Sequence, residues 1–344
     1  MTRRKLRPRL NRKKARWIAA SLFGLAGLGS LALLQLTAKL SISRLEKVWL
    51  PLATAARCDT QVKVATFFPF YTIWHWLVRY QNLAPGYYEL TPQMSALEAW
   101  LRLRQGRQTP LRFYLPPQRS PGHLARFLGT HLAHDSAQWA LIFASYPWEK
   151  LGLNTHTWLA IFLPDVYEVY WTIAPARFIE RMKENYDRFW NSARRQAAAA
   201  LGFTPIEVIT LASILEYETC RHDEKPLIAG VYLNRLRLGM PLQADPTVIY
   251  ALGNFNITRV TKRMLEVESP YNTYRRRGLP PGPIGTPSLE SIEAVLHYKP
   301  SRYLYFCARP DGSGYHDFST TYPEHLVKAR AYQRSLNRWL AQKK

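Results

Sequence analysis

Two carboxylic acids stand two residues apart, Glu216 and Glu218, at the end of the segment TPIEVITLASILEYET (204–219). A carboxyl does acid–base work at neutral pH only if its surroundings disfavour the charged form, and an apolar neighbourhood does so by desolvation. On a helix turning ~100° per residue, side chains two apart point to nearly opposite sides. Glu218 continues the bulky stripe Val208, Leu211, Ile214 and Leu215, whereas Glu216 shares a side with Ile209, Ala212 and Ser213. That stripe makes Glu218 the candidate general acid, able to hold a proton near pH 7 and pass it to a leaving oxygen. The competing readings are a solvated Glu where the helix frays, or a Glu paired with a nearby Arg.

The element that must position these acids has clear end signals. Thr204 can cap, Pro205 suits the first helical position, and Glu207 completes a capping box. The segment is apolar over most of its circumference and is expected to be buried. Downstream, PLIAGVYLNRLRLGMPLQADPTVIYALG (226–253) sets Asn234, Arg235, Gln243, Asp245 and Thr247 in an otherwise apolar region. Asp245 with Pro246 also reads as an N-cap and first position of the following helix. YNTY (271–274), with Tyr271 and Asn272, and GLPPGPIGTPS (278–288) form a stiff Pro/Gly loop with polar and aromatic tips. Such loops line clefts, and tyrosine rings with amide side chains suit sugar rings and N-acetyl groups. They also serve as plain connectors.

The chain contains no HExxH, P-loop or GxSxG, and its HLAH (131–134) reads as helical surface histidines. No metal and no cofactor are expected. Cys58, Cys220 and Cys307 are odd in number and widely spaced, which excludes a disulfide-rich scaffold and a four-cysteine zinc site. One disulfide is possible from this count, with the pair left open.

The 344 residues carry a net charge of +23, which invites a polyanion. Nine of the basic residues lie within the first sixteen, leaving +14 for the rest. Residues 17–38 are uncharged and apolar, long enough at ~1.5 Å per residue to cross a bilayer. The expectation is a basic cytoplasmic tail (1–16), a single transmembrane helix (17–38) and a juxtamembrane helix or linker (39–57), with the remainder outside the cell membrane. A nucleic-acid partner has no recognition motif behind it. The outer part alternates helices and short strands, giving an α+β fold. Helix 95–106 and strand 111–115 follow GYYELTP in a small N-terminal α+β region (58–160), helices are expected over 123–150 and 174–200, and a larger α+β domain occupies 161–344.

The run LASILEYET, then LIAGVYLNRLRLGMPLQADPTVIYALG, YNTY, GLPPGPI, YLYF and HDF resembles the endolytic murein transglycosylase family, also called YceG-like. GYYELTPQMS (86–95) and FLPDVYEVYW (162–171) resemble it too. The resemblance implies a single-pass inner-membrane enzyme that cuts peptidoglycan glycan strands within the chain, between N-acetylmuramic acid and N-acetylglucosamine, leaving 1,6-anhydro ends. It places the catalytic acid on Glu218 and groove positions on Asn234, Gln243, Asp245, Thr247, Tyr271 and Asn272. Arg235 and Glu216 are counted with the substrate-binding set, Glu216 as a support for the helix or for a groove residue. His316 and Phe318 match the H-x-F element, and His316 is counted with the substrate-binding set. The N-terminal region is expected to be LysM-like and to grip glycan, and wall-synthesis proteins are expected partners. The alternative is a non-catalytic, membrane-anchored peptidoglycan-binding scaffold.

Overall fold

The computed structural model describes residues 46–50 and 83–342. The basic tail (1–16), the apolar run (17–38) and Cys58 lie outside these residues. Among the described residues, no single helix is long and apolar enough to cross a membrane.

The chain divides into two compact units, Met1–Leu111 with Val169–Thr172, and Arg112–Glu168 with Ile173–Lys344. The division falls at Leu111, and the helices that follow it lie in the larger unit.

In the smaller unit, Glu46–Leu50 (β1) pairs antiparallel with Gly86–Leu90 (β2), setting Trp49 opposite Tyr87. Residues 46–50 are therefore a strand where a linker or helix was expected. The alternation of Val48 and Leu50 with Lys47 and Trp49 is the period-2 signal that marks it. Ala96–Arg104 (α1) starts at Ser95, whose hydroxyl accepts from the Glu98 N–H. Tyr88, Leu90, Ala99 and Leu103 form the buried centre of this unit.

Leu111–Leu115 (β3) pairs with Asp165–Val169 (β4) rather than with β1 or β2. The connection between them carries Pro121–His131 (α2) and Ser136–Ser145 (α3), capped by Ser120 and by a reciprocal Asp135–Gln138 box. Rings from this connection pack together, with Trp148 stacked on Trp158 at 4.8 Å and Phe143 on Trp158 at 4.8 Å. Pro175–Phe189 (α4) adds Phe178, Ile179 and Met182 to that core, and Ser192–Ala200 (α5) follows.

Pro205–Leu215 (α6) is the centre of the larger unit, with every residue from Val208 to Leu215 buried. It contacts α5, Lys225–Arg237 (α7) and Leu289–Leu296 (α9). Asp245–Leu252 (α8) lies between the last two in sequence. Tyr305–Ala308 (β5) and His316–Ser319 (β6) form an antiparallel hairpin covered by Tyr322–Gln342 (α10). The fold is α+β, built from helices with three small two-stranded sheets among the described residues.

Candidate active site at the end of the central helix

The predicted capping box forms at the start of α6. The Thr204 N–H donates to Glu207 Oε2 at 2.8 Å, and the Glu207 N–H donates to Thr204 Oγ1 at 3.3 Å. Ser213 fixes the far half of the helix, its hydroxyl accepting from the Ile284 N–H at 3.0 Å. The α-helix ends at Leu215, before the two acids that the helical reading placed on it. The Tyr217 N–H reaches back to Ile214 O and the Glu218 N–H to Leu215 O, at 3.1 and 3.2 Å. This tight i→i+3 turn, common at helix ends, carries both acids.

Glu218 keeps limited solvent access, but its carboxyl is hemmed in. Tyr232 on α7 donates its hydroxyl to Glu218 Oε1 at 2.5 Å. Burial pushes the Glu218 pKa up to about 7, and the charge of Asp245 adds to the rise. The Tyr232 hydrogen bond and the Arg235 charge work the other way, and burial wins. A carboxyl at that value is part protonated at neutral pH and able both to give and to receive a proton.

Arg235 is the cation behind this group. It is 7% exposed, and its Nε donates to Leu304 O at 2.6 Å. Its other end donates to Leu242 O at 2.8 Å and to Gln243 Oε1 at 3.2 Å. Burial lowers its pKa, and its role is to brace the 241–243 and 304 backbones while presenting charge to Glu218. Gln243 is exposed and holds φ at 54°, the left-handed region that costs a non-glycine residue ~1 kcal/mol or more. Its N–H is held by Thr273 O at 3.1 Å. Backbone strain of this kind concentrates at functional sites.

Asp245, a groove candidate that also read as an N-cap, begins α8, and Ala244 holds the cap position. Its carboxylate stays exposed and accepts the Tyr274 hydroxyl at 2.6 Å. Burial and Asp245 together raise the Tyr274 pKa. Glu218, Tyr232, Arg235, Asp245 and Tyr274 thus form one electrostatically linked group. Tyr232 and Tyr274 were not singled out from the sequence. The signal available for Tyr274 was its place at the other tip of YNTY; for Tyr232 there was only its position one turn before Arg235.

Four expected groove residues are committed inward. Glu216 Oε2 accepts from the Ser288 N–H at 3.1 Å, the Ser288 hydroxyl at 2.6 Å and the Ser291 hydroxyl at 2.5 Å, and lies 3.5 Å from Lys225 Nζ. Through that oxygen it closes the N-terminus of α9 and supports the helix. Thr247 is fully buried, its hydroxyl bound to Ala244 O and Thr273 Oγ1 at 2.7 and 2.8 Å. Asn272 is fully buried as well, its amide donating to Leu265 O and Val267 O at 2.9 and 2.8 Å. The Asn234 amide ties down Ser301 O and Tyr303 O at 2.8 and 3.0 Å. These side chains shape the loops that carry Asp245, Tyr271 and Tyr274.

Tyr271 lies at the surface of the loop, packed on Tyr250 at 4.8 Å and hydrogen-bonded to His156 at 3.2 Å. His316 is paired with buried Glu224, its ring nitrogen at 2.9 Å, and stands edge-on to Phe306, which in turn packs on Tyr232. Among the described residues, no group of three His, Cys, Asp or Glu side chains is arranged to hold a metal ion.

The chain is 43% identical over 131 residues to an endolytic murein transglycosylase of Bacillus subtilis, a stretch covering 38% of this chain and 36% of that protein. It is 27% identical over 279 residues to an endolytic murein transglycosylase of Streptococcus pneumoniae, covering 72% of this chain and 50% of the relative. The chain thus matches no more than half the length of these relatives. A crystal structure of a YceG-like protein from Listeria monocytogenes superposes with a TM-score of 0.57 at 27% identity, covering 83% of this chain and 99% of that one. The YceG-like family matches residues 53–331, and the chain belongs to that family.

Proposed function

We propose that this protein is an endolytic lytic transglycosylase of the peptidoglycan wall, with Glu218 as its acid and then its base. The observation that carries the reading is the Glu218 carboxyl, hydrogen-bonded by Tyr232 and raised to about 7 in a member of the YceG-like family. In the first step, protonated Glu218 gives its proton to the oxygen bridging N-acetylmuramic acid C1 and the next N-acetylglucosamine. The C1–O bond breaks, and the substrate's own N-acetyl group stabilises the electron-poor C1. The resulting carboxylate, stabilised by the Tyr232 hydroxyl and the Arg235 charge, takes the proton of the muramyl 6-hydroxyl. That oxygen closes on C1 and leaves a 1,6-anhydro end, so no water is consumed and Glu218 is reprotonated. One carboxyl serves both steps, unlike the pair used by most glycosidases.

The supporting parts follow from the same reading. Residues 17–38 anchor the protein in the inner membrane with residues 1–16 in the cytoplasm. The smaller unit serves as a LysM-like glycan grip, and wall-synthesis proteins are its neighbours. The test is the mass of the products made by the full chain from uncrosslinked glycan strands. Internal fragments one water lighter than hydrolysis products support the reading. Fragments with ordinary reducing ends make the enzyme a hydrolase, and intact strands bound but uncut make it a scaffold.

A further inference from the structure

Arg119 sits half-buried in the larger unit, its guanidinium over the Tyr217 ring at 5.2 Å and over the Phe255 ring at 5.5 Å. Tyr217 is the residue directly before Glu218. Arg177, Arg194, Arg275 and Arg309 each lie beside an acid, whereas Arg119 has no carboxylate partner among the described residues. Stacking on aromatic faces uses the plane of the guanidinium and leaves its donor edge for a ligand.

The backbone that presents Arg119 is held on both sides. The Gln118 N–H donates to Thr286 Oγ1 at 2.6 Å, and the Thr286 N–H donates to Gln118 O at 2.8 Å. Gly285 permits this approach, since a Cβ there would meet Gln118 O at 2.7 Å and Tyr217 Oη at 2.8 Å. On the other side Ser120 caps α2, accepting from the His123 N–H at 3.2 Å. The His123 ring stands edge-on to Phe255 at 5.3 Å, which fixes the second aromatic support. A planar cation fixed in this way costs little ordering on binding an anion.

We propose that Arg119 is a specificity-determining residue that binds a carboxylate carried by the muramic acid unit at the cleavage point, an inference that rests on Glu218 cutting glycan. A guanidinium recognises a carboxylate through two parallel N–H bonds. On this substrate that carboxylate comes either from the lactyl group of a muramic acid without its peptide, or from the peptide itself.

The test measures kcat and KM of the full-length protein, as wild type, Arg119→Gln and Arg119→Lys, on three glycan substrates. These are strands with peptides, peptide-free strands with a free lactyl carboxylate, and peptide-free strands whose lactyl carboxylate has been converted to the methylamide. Arg119→Gln is expected to raise KM roughly tenfold or more on whichever substrate presents the recognised carboxylate, with a smaller change in kcat. Arg119→Lys, which keeps the charge without the fork, recovers part of that loss. A penalty confined to peptide-bearing strands assigns the peptide as source, and one confined to free-lactyl strands assigns the lactyl group. An equal penalty on all three substrates, methylamide included, overturns the proposal by making Arg119 structural, as does no penalty on any. If wild type cuts none of the three, the glycan-cleaving reading itself fails.

Discussion

On one side of the turn 216–218, the Glu216 carboxyl meets two serine hydroxyls, a helix N-terminal N–H and a buried lysine. On the other, two residues later, the Glu218 carboxyl meets one tyrosine hydroxyl, with the charges of Asp245 and Arg235 acting on it in opposite directions and burial dominating. The residues are chemically identical, and the turn sends them to different surroundings. Glu216 is used up in holding α9 against the end of α6. Glu218 is held by a single donor and raised to about 7, which leaves it free to exchange its proton.

Removing each acid sets the comparison at its sharpest. Glu218→Gln is expected to lower kcat by ~10³-fold or more while the protein stays folded, measured by product release from glycan strands. Its stability effect has a definite sign. The folded value of about 7 lies above the ordinary 4.5, so the stability contribution of Glu218 is full below 4.5 and is lost as pH rises through 7. Denaturant melts should therefore find Glu218→Gln unchanged at pH 4 and more stable than wild type at pH 8, by about 3 kcal/mol. Glu216→Ala should do the reverse, costing ~3 kcal/mol of stability because Lys225 and the serine donors lose their acceptor.

Smaller effects refine the Glu218 side. Tyr232→Phe removes a contact that lowers the Glu218 pKa, and Asp245→Asn removes a charge that raises it. The alkaline limb of kcat/KM should move upward in the first variant and downward in the second. Equal directions would break the electrostatic account. The smallest expected effect is that of Thr247→Val, which removes one partner of the buried Thr247–Thr273 pair. It should cost about 1 kcal/mol in a denaturant melt and leave KM for glycan unchanged.

The amino-acid pattern made α6 legible down to its capping box, because Thr204, Pro205 and Glu207 act locally. For Glu218 the pattern placed the acid on the helix, whereas it lies in a tight turn beyond α6 with Tyr232 donating to it. What spacing could not separate was a polar side chain that touches substrate from one that ties a loop. Asn234 and Thr247 bind a carbonyl and a hydroxyl distant in sequence, and Asn272 ties two carbonyls of the loop just before it. The same limit hid β1, whose partner strand lies well downstream, and the pairing of β3 with β4 across the intervening helices.

The most direct test titrates the carboxyl of Glu218 itself, by carbon NMR on protein labelled at the glutamate side-chain carboxyl, with the resonance identified by its loss in Glu218→Gln. The account predicts a midpoint near pH 7. A midpoint near 4.5, the ordinary glutamate value, would contradict it and leave the proposed reaction without a group to protonate the leaving oxygen.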